Sequence, residues 1–115
     1  MIYAKYTYFF KALSHRSRLR LMELLAAHGE ISVTRIVEAF EGTDIEDRDP
    51  TTISRNLNIL KQLGLVTSRR DGQTKYYSLD MAKVHAAFDE FVDFIDSARE
   101  RHHHEMKVVA RQSSS

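Results

Sequence analysis

The stretch Asp49–Leu79, DPTTISRNLNILKQLGLVTSRRDGQTKYYSL, constrains the fold most, because its hydrophobic period changes partway along. Ile53, Leu57 and Leu60 recur at the spacing that lines one face of a helix. Thr51, Ser54, Arg55, Asn58 and Gln62 make the opposite face. Asp49 can cap the helix start by accepting orphan backbone N–H groups. Pro50 suits the first helical position, where its missing N–H has no partner to lose. Gly64 ends the helix, since it enters left-handed backbone at little cost. Beyond it, Leu65–Arg70 and Thr74–Leu79 read as short strands around Asp71–Gly72, a hairpin signal.

The helix's polar face carries hydroxyls, amides and one guanidinium rather than a lattice of Glu and Lys. Those are the groups that read base edges in a major groove. On the hairpin, Arg69, Arg70, Gln73, Thr74 and Lys75 are expected to hold phosphates. Charge supports this. The net charge of +1 conceals a division. Residues 51–76 carry five bases against Asp71 alone, a balance of +4. Residues 38–50 carry six acids against Arg48, and residues 80–105 carry seven acids against three bases. A basic segment that coincides with a polar-faced helix and hairpin fits a nucleic-acid footprint better than an even solubility coat does.

The remaining chain reads as a scaffold for that stretch. At 115 residues it is one domain with a small core. The N-terminal residues 2–13 have helical spacing, with Ile2, Tyr6, Phe9 and Leu13 in line and Tyr3 and Phe10 beside them. So many apolar groups on so short a helix indicate a subunit contact. Ser14 is expected to cap a second helix ending at Gly29, with Leu19, Leu21, Met22, Leu24 and Leu25 over a wide buried arc. Arg16, Arg18 and Arg20 at its start either face phosphates or are solvated. Ser32 caps a third helix whose inner face is Val33, Ile36, Val37 and Phe40. The acidic loop after Gly42 lacks the glycine and the terminal carboxylate of a calcium loop: counted from Asp44, those places hold Asp49 and Arg55. It reads as solvated.

Residues 80–105 form a long helix in which Met81, Val84, Phe88, Phe91, Ile95 and Ala98 alternate spacings of three and four, a heptad seam. The expected architecture is mainly α with a small β-hairpin: a winged helix-turn-helix that forms a homodimer through its N- and C-terminal helices. Residues 1–105 make the single domain, with dimerisation helices at 1–13 and 80–105, the helix-turn-helix at 32–63 and the wing at 65–79. Residues 106–115 are a flexible tail. The dimer contact is assigned to Tyr6, Phe9, Leu13, Val84, Phe88, Phe91 and Ile95.

At this point the chain resembles the ArsR-type transcriptional repressors, dimeric winged-helix proteins. The resemblance covers roughly residues 8–79 and rests on FKALSHRSRLRLMELL, TTISRNLNILKQLGLV and RRDGQTKYYSL, in order and at near-family spacing. It implies repression by binding double-stranded operator DNA, released when an effector shifts the dimer. It also implies that Thr52, Ser54, Arg55 and Asn58 face the groove. The family's two metal sites have no counterpart here. Where many members carry Cys-x-Cys on the third helix, this chain has Ser32 and Thr34. Where others place carboxylate and histidine ligands on the last helix, it has Met81, Lys83, Phe94 and Ser97.

A metal reading therefore rests on His102, His103, His104 and Glu105, whose donors suit zinc or nickel. Against it, consecutive histidines point in different directions on a helix. His85 and Asp89 form either a hydrogen-bonded or a chelating pair. The chain has no cysteine, so disulfides and thiolate sites are excluded. No phosphate loop, nucleophile elbow or His-Glu-x-x-His pattern supports an enzyme. With no apolar run long enough to span a bilayer and no secretory signal in MIYAKYTYFFKAL, the expected location is cytoplasmic, with no membrane partner. Two alternatives stay open: a metal sensor using the tail histidines, and a winged-helix module that binds protein through its acidic surfaces.

Overall fold

The computed structural model describes residues 2–113. In order the elements are α1 (Ile2–Leu13), α2 (Arg16–His28), β1 (Ile31–Ser32), α3 (Val33–Phe40), α4 (Pro50–Gln62), β2 (Val66–Asp71), β3 (Thr74–Leu79) and α5 (Met81–Ser113). The architecture is mostly helical with a small antiparallel sheet of order β1-β3-β2. The chain divides into two units, Met1–Val84 and His85–Ser115.

In the first unit the apolar faces of α2, α3 and α4 meet. Leu21, Leu25, Ile36, Phe40, Ile53, Leu57 and Leu60 are all fully covered. Leu65 and Val66 carry that core into the sheet. At roughly 1.5–3 kcal/mol for each large apolar side chain, this burial is the main force holding α4 in place. Local signals set its ends. The Asp49 carboxylate accepts the Thr52 N–H at 3.1 Å, Pro50 opens the helix, and Gly64 follows it with φ +80°. Ser32 caps α3 by accepting the Arg35 N–H at 3.3 Å.

Several expectations are corrected. Ser14 does not cap α2. Its hydroxyl donates to the Lys11 carbonyl at 2.7 Å and so closes α1, while His15 occupies the cap without a side-chain bond. Leu19 lies outside the buried arc, about half exposed. The hairpin turn is one residue further on than the Asp-Gly signal indicates. Asp71 pairs with Thr74, leaving Gly72–Gln73 as the two-residue loop. Gly72 has φ +63° and Gln73 has none of that sign, the pattern of a turn with glycine at its first central position. A two-residue strand, β1, adds Ile31 and Ser32 to the sheet opposite Tyr77 and Tyr76. It is too short for any periodic signal.

The acidic connection between α3 and α4 has its carboxylates in solvent, as expected, but is also tied to α2. Ile45 is buried. Arg16 donates to both Asp44 carboxylate oxygens, at 3.1 and 3.2 Å, and the Ser17 hydroxyl donates to Asp47 at 3.2 Å. Arg48 folds back onto the Thr43 carbonyl. Of the arginines at the start of α2, Arg16 is solvent-exposed as expected, with Asp44 as its partner, while Arg18 and Arg20 are half-buried. Arg16 holds the connection, Arg20 pairs with Glu23 at 2.6 Å, and Arg18 turns inward.

The second unit is the remainder of α5. It is helical eight residues beyond Glu105, through Ser113, where a flexible tail is expected. Residues 106–113 contain no glycine or proline to stop it. Met1, Ser114, Ser115 and the side chains of Ile2, Tyr3, Val108, Arg111, Gln112 and Ser113 lie outside the described residues. Along α5, Phe88, Val92, Ile95, Met106 and Val109 are exposed, and the Phe91 and Phe94 rings sit 6.3 Å apart. Tyr6 and Leu13, assigned to the dimer contact, are already buried, whereas Tyr8 and Phe10 on α1 are exposed. The helical period turns Tyr6 and Leu13 to one side and Tyr8 to another.

Candidate nucleic-acid interface

The polar face of α4 is presented outward because Ile53, Leu57 and Leu60 fix the opposite face in the core. Thr51, Ser54, Arg55 and Asn58 are exposed as expected. Thr52 is half-buried and occupied with the helix cap. Hydrogen bonds from Thr52, side chain first and then backbone, hold the Asp49 carboxyl below the usual carboxylate range. A depressed folded-state pKa stabilises the fold at neutral pH and loses that effect as pH falls through it. Asp49→Ala should therefore lower the melting temperature at pH 7 and narrow its difference from the parent protein at pH 3. A difference unchanged by pH would place the cap's contribution elsewhere.

One residue of α4 faces inward with polar chemistry. Asn56 is only 5% exposed. Its amide donates to the Ser17 hydroxyl at 3.2 Å, and its carbonyl accepts from Arg18 Nε at 3.1 Å. Arg18 also donates to the Ala12 carbonyl at 2.5 Å. Ser17 passes the chain of bonds on to Asp47. This network joins α2, the acidic connection and the middle of α4. The residue types are visible in the sequence, but their meeting depends on contacts between distant positions.

The wing's two faces differ. In the hairpin register Val66, Ser68 and Arg70 share a face with Leu79, Tyr77 and Lys75. The inner end of that face is core, with Val66 and Tyr77 buried. At its outer end Arg70 lies directly opposite Lys75. Like charges across a strand pair repel, so this end of the wing is poised for an anion. Lys75 Nζ is 5.2 Å from the centroid of the Tyr77 ring, a cation–π contact that steadies it. Lys61 joins α4 to the wing by donating to the Ser68 hydroxyl at 2.8 Å.

A groove of about 430 Å³ runs between these parts. It brings together Ser54 and Asn58 from α4 with Arg70, Gln73 and Lys75 from the wing. Thr34 at the start of α3 lines it too, as do Thr74 and Tyr77; Thr34 carries no sequence signal beyond its place after the Ser32 cap. Thr51 and Arg55 lie outside the groove on the exposed face of α4. A larger recess of about 580 Å³ at the start of α4 includes Glu41, Glu46 and Asp49 against Arg48, which suits a phosphate poorly.

Arg69 is not with the others. It projects from the other face of the hairpin and meets Glu30 through two bonds, Nε at 2.8 Å and Nη2 at 2.5 Å. Arg70 and Lys75, expected to hold phosphates alongside it, lie on the opposite face, one residue out of phase with Arg69. The tail histidines also remain apart. His102 pairs with Glu105 at 3.3 Å, and no three His, Cys, Asp or Glu side chains gather into a metal-sized group among the described residues. No described helix is long and apolar enough to cross a membrane.

Comparisons with known proteins agree with this geometry. Residues 13–69 match the model of a helix-turn-helix domain. An uncharacterised HTH-type transcriptional regulator of Methanocaldococcus jannaschii is 35% identical over 75 residues, covering 65% of this chain and 78% of that protein. The transcriptional repressor SdpR of Bacillus subtilis is 32% identical over 87 residues, covering 76% of this chain and 89% of that one. The chain spans 59% of the cadmium resistance regulator CadC of Listeria innocua, to which it is 37% identical. Among solved structures, a homodimeric winged helix-turn-helix DNA-binding domain from Mycobacterium bovis, described as a possible ArsR-family regulator, is similar at a TM-score of 0.58. It is 35% identical, with 80% of this chain and 82% of that chain covered. An ArsR-like regulator from Rhodococcus shares the fold over 96% of this chain and 94% of that one, at a TM-score of 0.69 and 22% identity. The chain belongs to the ArsR-type helix-turn-helix transcriptional regulators and is a DNA-binding regulator of transcription.

Proposed function

We propose that this protein is a cytoplasmic homodimeric repressor whose two α4 helices enter successive major grooves of double-stranded operator DNA. The observation that carries the reading is the groove in which Ser54 and Asn58 of α4 face Arg70, Gln73 and Lys75 of the wing. In this reading Arg55, Ser54 and Asn58 contact bases, and Arg70 and Lys75 neutralise flanking phosphates. Arg55 and Arg70 are free to do so: neither forms a salt bridge among the described residues. An effector that favours one arrangement of the dimer would change operator affinity. The family's cysteine and last-helix ligands are absent, so the effector is of another kind or another metal geometry.

The test is a gel shift against the protein's own upstream promoter, with random duplex as competitor and with zinc or nickel added in parallel. Binding that survives competition is the expected result; none above background would favour the protein-binding alternative. Arg55→Ala should cost about 1–3 kcal/mol on operator DNA and much less on random duplex. Lys75→Ala should weaken both and reduce the salt slope by about one. Equal losses on every sequence for Arg55→Ala would remove its base-reading role.

A further inference from the structure

The outer face of the sheet carries a polar strap that lies outside the groove between α4 and the wing. Glu30 immediately precedes β1, Tyr76 lies on β3 and Arg69 on β2. Strand order places β3 between the other two, so these three side chains cross the whole sheet. Register places Arg69 opposite Tyr76 and Ser32 opposite Tyr76 from the other side, which puts Glu30 on the same face. The Arg69 guanidinium carbon lies 4.6 Å from the centroid of the Tyr76 ring. Its Nε–H and one Nη2–H both donate to the Glu30 carboxylate. Exposed ion pairs contribute little as a rule, but a bidentate guanidinium–carboxylate pair stacked on an aromatic ring is the geometry in which one can matter.

β1 is only two residues long, so few backbone bonds tie the wing to the segment between α2 and α3. The strap supplements them. A planar guanidinium has one orientation in which it can stack on Tyr76 and meet both carboxylate oxygens, so the strap fixes an angle as well as a distance. It also occupies the Nε–Nη2 side of the Arg69 guanidinium, leaving only its Nη1 end for another partner.

We infer that Glu30 and Arg69, joined across Tyr76, are positioning residues that set the angle of the wing, and that Arg69 acts on DNA through that angle rather than by holding a phosphate. The inference rests on the DNA-binding mode proposed above and assigns distinct roles to adjacent arginines.

The test is the salt dependence of binding by the full-length protein to its promoter duplex, for the parent protein and for Glu30→Gln, Arg69→Ala, Arg69→Lys, Arg70→Ala and the double variant Glu30→Gln/Arg69→Ala. A lost phosphate contact lowers the slope of log affinity against log salt by about 0.9. Arg70→Ala should show that decrease. Arg69→Ala and Glu30→Gln should each weaken binding several-fold with the slope unchanged. The double variant should be no weaker than either single one, because both remove the same strap. Arg69→Lys should fail to rescue, since it keeps the charge but loses the fork. Melting curves identify any variant whose loss comes from unfolding. The proposal is overturned by a slope that falls in Arg69→Ala as in Arg70→Ala, by rescue with lysine, by tighter binding in Glu30→Gln, or by no effect of either substitution. Absence of salt-sensitive binding in the parent protein would remove the DNA-binding mode itself, and this inference with it.

Discussion

Asn56→Ala is expected to destabilise the fold by about 2–3 kcal/mol, although it removes only a few polar atoms. The amide is buried and bonded on both sides, to Ser17 and to Arg18. Truncation leaves the Ser17 oxygen and Arg18 Nε short of one bond each, although Ser17 keeps Asp47 and Arg18 keeps the Ala12 carbonyl. An unmet buried group costs its full desolvation penalty, more than the net gain from an ordinary hydrogen bond. For a domain of this size the loss corresponds to a fall in melting temperature of roughly 8–12 °C. Asn58→Ala, two residues along the same helix, is the control: Asn58 is exposed, so its substitution should shift stability by less than about 0.5 kcal/mol while weakening operator binding. Thermal denaturation of the two variants decides the matter. Equal stability would mean that the network around Asn56 adds nothing.

Charge placed on the seam of α5 should have the largest effect on DNA binding. Phe88 and Ile95 are exposed within one chain, and Phe91 lies between them in the heptad. A partly exposed aromatic and aliphatic stripe of this kind suits an interaction surface, and in the proposed dimer the partner's copy covers it. Phe88→Asp with Phe91→Asp should yield a monomer by light scattering. Because a dimer binds its second half-site from an effective concentration set by the first, operator affinity should fall by about 10²–10⁴. A variant that stays dimeric would move the contact away from this seam. One that becomes monomeric yet binds the operator undiminished would end the two-half-site reading.

What could be read from the sequence was local. The Asp49 cap, Pro50, the apolar row of Ile53, Leu57 and Leu60, and Gly64 all act within a few residues of themselves, and α4 begins and ends where they place it. The wing was legible for the same reason, with a slip of one residue at its turn. That slip arose because Asp-Gly and Gly-Gln both offer a glycine at a turn, and only strand pairing decides between them. Partners distant in the chain could not be read. Nothing near Arg18 indicates Asn56, and nothing near Arg69 indicates Glu30, yet these contacts turn two expected surface cations to structural use. The same holds for Tyr6 and Leu13. Their spacing shows an apolar face but not whether the chain's own core or a partner covers it.

The docked connection before α4 has a consequence for how the molecule assembles. A short turn would let α3 and α4 find each other as neighbours. Here α4 is secured through bonds spanning 28 to 39 positions, from Arg16, Ser17 and Arg18 to Asp44, Asp47 and Asn56. Closing such loops precedes the gain from their contacts, so α4 should become ordered only with α2 already in place. In native-state hydrogen exchange the amides of α2 and α4 should open together, as one cooperative block, with the wing tip opening at lower free energy. A partly unfolded chain would then lose its reading helix and its core in the same event, and so would carry no exposed remnant able to compete for the operator.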